Sequence, residues 1–155
     1  MERNFAAVKT AALAVLAAVG SVASAALGGW DAALQTLLIF MATDCATGLM
    51  VAGVFKRSGK SEGGRLDSRA GFKGLCKKGA ELILVLVAVR LDGLLGDAQY
   101  ARMAVMLFFI GNEGLSVLEN LGLMGVPYPA FIRNALEVMR EQGDKGQGEQ
   151  DETEK

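Results

Sequence analysis

Asn112, Glu113, Ser116, Glu119 and Asn120 stand in the stretch NEGLSVLEN, between Met103-Ala-Val-Met-Leu-Phe-Phe-Ile110 and Leu121-Gly-Leu-Met-Gly-Val126. Their positions, i, i+1, i+4, i+7 and i+8, fall on one face of a helix. Carboxylates and amides aligned on an otherwise apolar helix suit three kinds of chemistry: lining a water path, holding a charge, or docking the polar face of another helix. A weaker version recurs at Thr43, Asp44, Thr47 and Gly48. Catalysis is not among the readings. The chain contains no histidine, so the commonest general base and the commonest metal ligand are both missing. Cys45 lies within an apolar run and Cys76 beside a basic stretch, neither with a partner that would mark a nucleophile, and both are read as packing residues. No enzyme activity, metal or cofactor is expected.

These residues are carried on runs that want to leave water. The chain of 155 residues is 52% hydrophobic and only 6% aromatic, with a mean hydropathy of +0.33. Ala, Gly, Leu and Val suit closely packed membrane helices, where small side chains let backbones approach. Apolar runs at 8–27, 32–55, 79–95 and 103–126 are near the ~20 residues that cross a hydrocarbon core. The expected fold is therefore an all-α integral membrane protein, with four transmembrane helices favoured over three. The first run is the least distinctive. Gly20, Ser24 and Gly28 form a small-residue seam within it, while Arg3, Lys9 and Ala23-Ser-Ala25 also resemble a cleavable secretory signal.

Charge sets the orientation. Residues 56–78 hold eight Lys and Arg against Glu62 and Asp67, and a short loop this basic stays in the cytoplasm. With four spans both termini are then cytoplasmic, and the connections Gly28-Gly-Trp-Asp31 and Gly96-Asp-Ala-Gln-Tyr100 lie outside. Pro127-Tyr-Pro129 ends the fourth helix. Residues 130–140 place Phe131, Ile132, Leu136 and Met139 at helical spacing and are expected to lie on the membrane surface. That completes a membrane domain over 1–140. The charged stretch 141–155 lacks apolar residues and is read as a disordered tail. Nothing in the sequence points to nucleic acid.

A buried carboxylate is expensive. Each Leu, Ile, Val or Phe favours insertion by about 0.3 to 0.6 kcal/mol, while an acidic residue at mid-helix costs about 2.5 to 3.5 kcal/mol. Glu113 and Glu119 together offset most or all of what the fourth run gains, so that helix needs partners. At about 1.5 Å per residue, Asp44 lies roughly 16 Å from Phe55, Arg90 about 16 Å from Gly79, and Glu113 about 15 Å from Met103. The count places the three at one depth and predicts that Arg90 pairs with Asp44 or Glu113.

NEGLSVLEN followed by Gly125-Val-Pro127 and Pro129 resembles the signature of the phage lysis and toxin-secretion holins. Asp44 with Thr47 and Gly48, Ser68 and Gly71, and Gly74-Leu75 before Lys77-Lys78 are similar to that family as well. The likeness spans roughly residues 40–130. It implies a small multi-pass protein of the host cytoplasmic membrane that associates with itself in the lipid bilayer. The assembly then opens lesions that release an endolysin or another exported protein. Carried over residue by residue, Asp44, Thr47, Gly48, Asn112, Glu113, Ser116, Glu119 and Asn120 become assembly or pore-lining positions, with Arg90 added by the depth count. Two other readings remain compatible with the residues: a small channel or transporter, and a membrane interaction protein without a pore.

Overall fold

The computed structural model describes residues 2–59, 67–96 and 99–145, and every element among them is helical. Helix α1 spans Glu2–Ala26, α2 Ala32–Met50, α3 Ser68–Leu95, α4 Tyr100–Leu123 and α5 Ala130–Lys145. α2 widens into a π-helical turn over Val51–Phe55. By length and composition three stretches are apolar enough to cross a membrane: Ala6–Ala26, Ala32–Phe55 and Tyr100–Leu123.

The helix ends follow from local chemistry. Asp31 is extended and accepts a hydrogen bond from the Leu34 amide at 2.8 Å, which caps α2. Asp67 does the same for α3 through Arg69 N at 2.9 Å. At the end of α4, Gly125 adopts φ +83°, and Val126 N reaches back to Leu121 O at 3.0 Å. This left-handed closure suits glycine, and the prolines that follow prevent continuation.

α2, α3 and α4 form the core, built from Leu34, Leu37 and Met41, from Val85 and Ala88, and from Val105, Met106, Phe109 and Ile110. One end of this bundle is clasped by Arg102, whose side chain is almost fully enclosed. Its Nε donates to Leu27 O at 2.7 Å and its Nη1 to Asp31 Oδ2 at 2.5 Å. Asp92 of α3 accepts from the amides of Ala101 and Arg102 at 2.9 and 2.8 Å, satisfying the first turn of α4. Gly28, at φ +87°, leaves room for this, since a Cβ there would lie 2.5 Å from Arg102 Nε. The α1–α2 and α3–α4 connections thus meet at the same end, as the alternating topology requires.

Several expectations need correction. The basic stretch 56–78 is not all loop, because α3 already begins at Ser68 and carries Lys73, Lys77 and Lys78 on helix; residues 60–66 lie outside the described residues. α3 is long enough to span but is not among the stretches that meet the apolar criterion, since Lys77, Lys78, Glu81, Arg90 and Asp92 interrupt it. α5, expected to lie on the membrane surface, packs against α4. It turns back along α4, and its helix reaches Lys145, past the expected boundary at 140; residues 146–155 of the expected tail lie outside the described residues. The cause is glycine. A Cβ on Gly111 would lie 2.6 Å from Leu136 O and 2.7 Å from Arg140 N, and one on Gly114 would lie 2.7 Å from Leu136 Cδ2. On Gly143 it would run into Ala104 O and the Phe108 backbone.

Gly143→Leu should force α5 away from α4 and destabilise the protein by about 1–3 kcal/mol, the usual range for overpacking. Its melting temperature in detergent should fall, while Gly20→Ala, with nothing within 4 Å of the new Cβ, should melt like wild type. An unchanged Gly143→Leu would mean that α5 is not seated there. A second measurement concerns Asp31, whose carboxyl is held below its usual range chiefly by the hydrogen bond from Arg102. A depressed folded-state value means stability that is present above the ordinary carboxylate range and is lost as pH falls through the folded one. Arg102→Met should therefore lower the melting temperature at neutral pH and flatten its fall on acidification. Parallel acid profiles would contradict this.

Candidate functional site: a buried polar network between α2, α3 and α4

Asp44 is buried on α2 and faces the stripe on α4 that NEGLSVLEN provides. Ser116 Oγ donates to its Oδ1 at 2.6 Å, and Asn120 Nδ2 donates to the same oxygen at 3.0 Å. Asn120 also donates to Thr47 Oγ1 at 3.0 Å, while the Thr47 hydroxyl donates to Thr43 O, one turn back along α2, at 2.9 Å. Gly48 completes this edge, for a Cβ there would sit 3.8 Å from Asn120 Nδ2. The i, i+3 and i+4 spacing on each helix is what brings these groups together.

The cation in the network is Lys78. Its Nζ donates to Asp44 Oδ2 at 2.8 Å and also to Glu113 Oε2. The ammonium thereby ties α2, α3 and α4 through one group, with its side chain 14% exposed and that of Glu113 4%. In a low-dielectric interior a charge is tolerated when it is paired and its remaining hydrogen-bonding capacity is used. Asp44 satisfies that requirement with Lys78, Ser116 and Asn120 as donors.

Arg90 does not take this role. It is exposed on α3, twelve residues or about 18 Å along the helix from Lys78 at ~1.5 Å per residue. A helix begun at Gly79 has Arg90 as its one basic residue, whereas α3 starts at Ser68 and so carries Lys78 on the same helix. The remaining stripe residues divide between two environments. Asn112 is half-buried and Glu119 exposed, and both line an adjoining cavity of about 410 Å³ into which α5 contributes Arg133, Glu137 and Arg140. Arg102 and Asp92, the other enclosed charges that organise the bundle, were not singled out in the sequence. Their signal was present but faint: a basic residue opening an apolar run, and an aspartate shortly before a turn.

The network predicts unequal effects for the two cations of α3. Lys78→Met leaves two buried carboxylates without their shared partner and should destabilise the protein by about 3–5 kcal/mol. Arg90→Met should stay within about 0.5 kcal/mol, as exposed substitutions do. Adding Asp44→Asn and Glu113→Gln to Lys78→Met should recover part of the loss. Denaturant titration in mixed micelles measures all three, and equal losses for Lys78 and Arg90 would contradict the assignment.

The Bacteriophage holin family matches residues 21–141, a range that contains α2, α3, α4 and most of α5. An uncharacterized protein of Clostridium perfringens is 38% identical over 122 residues, covering 78% of this chain and 84% of the relative. A second, a 14.9 kDa protein encoded in the nagH 3' region of the same species, is 37% identical over 125 residues, 80% of this chain and 89% of the relative. A probable holin of Bacillus phage phi105 is 33% identical over 124 residues, 80% of this chain and 86% of its own. No solved structure matches. With most of its length matched and its polar network inside that match, this chain belongs to the bacteriophage holin family and is a membrane protein.

Proposed function

We propose that the protein accumulates in the bacterial cytoplasmic membrane and assembles with copies of itself. The assembly opens lesions through which an endolysin leaves the cytoplasm to degrade the cell wall. The observation that carries this reading is the polar face of α4, which lies inside the chain against Asp44 and Lys78 although its host helix is otherwise suited to lipid. A helix of that kind has two ways to keep its carboxylates out of hydrocarbon: hold them against its own neighbours, or turn them toward water in a larger assembly. The first is the compact chain, and the second is the lesion. Asp44, Thr47, Gly48, Asn112, Glu113, Ser116, Glu119 and Asn120 are then assembly or pore-lining positions, and none is catalytic.

The reading has four spans, α1 to α4, with the N-terminus in the cytoplasm; the expected cytoplasmic C-terminus does not follow, since α5 returns along α4 until Gly143 meets Ala104 near the end closed by Arg102. The basic residues from Lys56 to Lys78 favour that orientation. α1 supports self-association, because Val8, Leu13, Leu16, Val19 and Val22 are all more than half exposed. An apolar helix this exposed meets lipid or a second copy. Release of a toxin would use the same lesion with a different cargo.

Expression together with a cytoplasmic endolysin tests the proposal. Turbidity should stay level while the protein accumulates, then collapse abruptly. Asn120→Leu, which removes one donor from Asp44, should shift the time of collapse without changing the amount of membrane protein. Full membrane accumulation with no loss of turbidity would overturn the lysis reading. Passage of ions without release of the endolysin would replace it with a channel.

A further inference from the structure

Glu81 of α3 is a buried acid that the network does not satisfy. It is 4% exposed, and neither carboxylate oxygen has a hydrogen-bond partner. Lys77 approaches Oε1 only to 3.8 Å from a side chain that is 65% exposed. Near it lies the carboxyl of Glu113, bonded to Lys78, which precedes Glu81 by three residues, about one turn, on α3. Two ionised carboxylates are both acceptors, so neither supplies what the other lacks. Lys78 is committed to Glu113 and Asp44. The enclosed group is therefore three carboxyls, from α2, α3 and α4, around one enclosed ammonium. α5 adds Arg133, Glu137 and Arg140 across the neighbouring cavity, which Lys77, Lys78 and Glu113 also line.

We propose that Glu81 and Glu113 form a proton-binding site, in which one proton taken from water is held as an O–H···O bond between the two carboxyls. The proton supplies the donor that Glu81 lacks and removes one negative charge from a region that cannot solvate it. No other ligand is needed, and the balance is simple: the proton enters when the bundle closes and returns to water when α3 and α4 separate. Folding then takes up a proton, because the separated glutamates are ionised at neutral pH. Stability must fall as pH rises until the folded site itself ionises. The site thus links the closed packing of α3 on α4 to pH, whatever the assembled protein does.

The test uses the full-length protein purified into vesicles of phosphatidylethanolamine and phosphatidylglycerol, so its outcome is independent of lysis. Infrared difference spectra between neutral and alkaline pH should show a protonated carboxyl C=O band that shifts in D2O and is lost in Glu81→Gln. Thermal stability of wild type should fall over the same pH interval, while that of Glu81→Gln should not, since its amide donates to Glu113 in place of the proton. Should Glu81→Gln fail to accumulate, Glu113→Gln gives the same reading by offering an amide donor to Glu81. A neutral-pH spectrum without the acid band, or a band that survives both substitutions, overturns the proposal. So does a stability that tracks sodium or potassium concentration and not pH, which would assign the site to a metal cation.

Discussion

The ammonium of Lys78 is the constraint on which the other arrangements depend. It belongs to α3 and bonds both Asp44 on α2 and Glu113 on α4, so it constrains the rotation of all three helices about their axes. An apolar interface alone would not do this. Leu34, Val85, Met106 and Phe109 fill space and exclude solvent, but non-directional contacts tolerate sliding and rotation. A charge enclosed with two carboxylates does not, because every small rotation exposes a charge without a partner. Lysine is suited to the position. Its long apolar stem crosses the distance from the α3 backbone while the charge stays at the tip.

The rest of the bundle makes this geometry possible. Arg102 ties the α1–α2 connection to the start of α4, and Asp92 ties the end of α3 to the same turn. These contacts fix the helices at one end, leaving Lys78 to hold them further along. Glycine has the complementary role on the other side of α4, where Gly111 and Gly114 let the α5 backbone come close enough for Leu136 to seat between them. α4 is consequently covered on most sides by its own chain, and its buried residues include Arg102, Glu113 and Asn120 among apolar neighbours. α1 is the opposite case, an apolar helix exposed from Ala6 to Ala23. One helix has its polar groups satisfied internally, whereas the other has apolar surface still to cover.

How legible this was depends on the kind of signal. The apolar runs at 8–27, 32–55 and 103–126 correspond closely to α1, α2 with its π-helical turn, and α4, because hydrophobic length is a local property of the sequence. The stripe from Asn112 to Asn120 could be read from spacing for the same reason. α3 was cut short because its basic first half, Ser68 to Lys78, has the composition of a solvated loop. A helix that carries positive charge into the bundle to meet carboxylates cannot be told from a loop until the carboxylates are seen. The partner of α5 was hidden for a related reason. Its spacing of apolar residues is that of a helix with one greasy side, and spacing does not say whether that side meets lipid headgroups or another helix.

The sequence by itself determined that this is an α-helical membrane protein without the residue types for catalysis by histidine, that α4 carries a continuous polar face, and that this face needs company. Those conclusions rest on periodicity and on the energy of transferring charge out of water, which act residue by residue. The tertiary structure alone decided who provides that company. Lys78 and not Arg90 reaches Asp44 and Glu113, Glu81 is left enclosed without a donor, and α5 covers the glycine side of α4. Each of these depends on where one helix begins relative to another and on how closely their backbones approach. Those relations between distant segments come into being only when the chain packs.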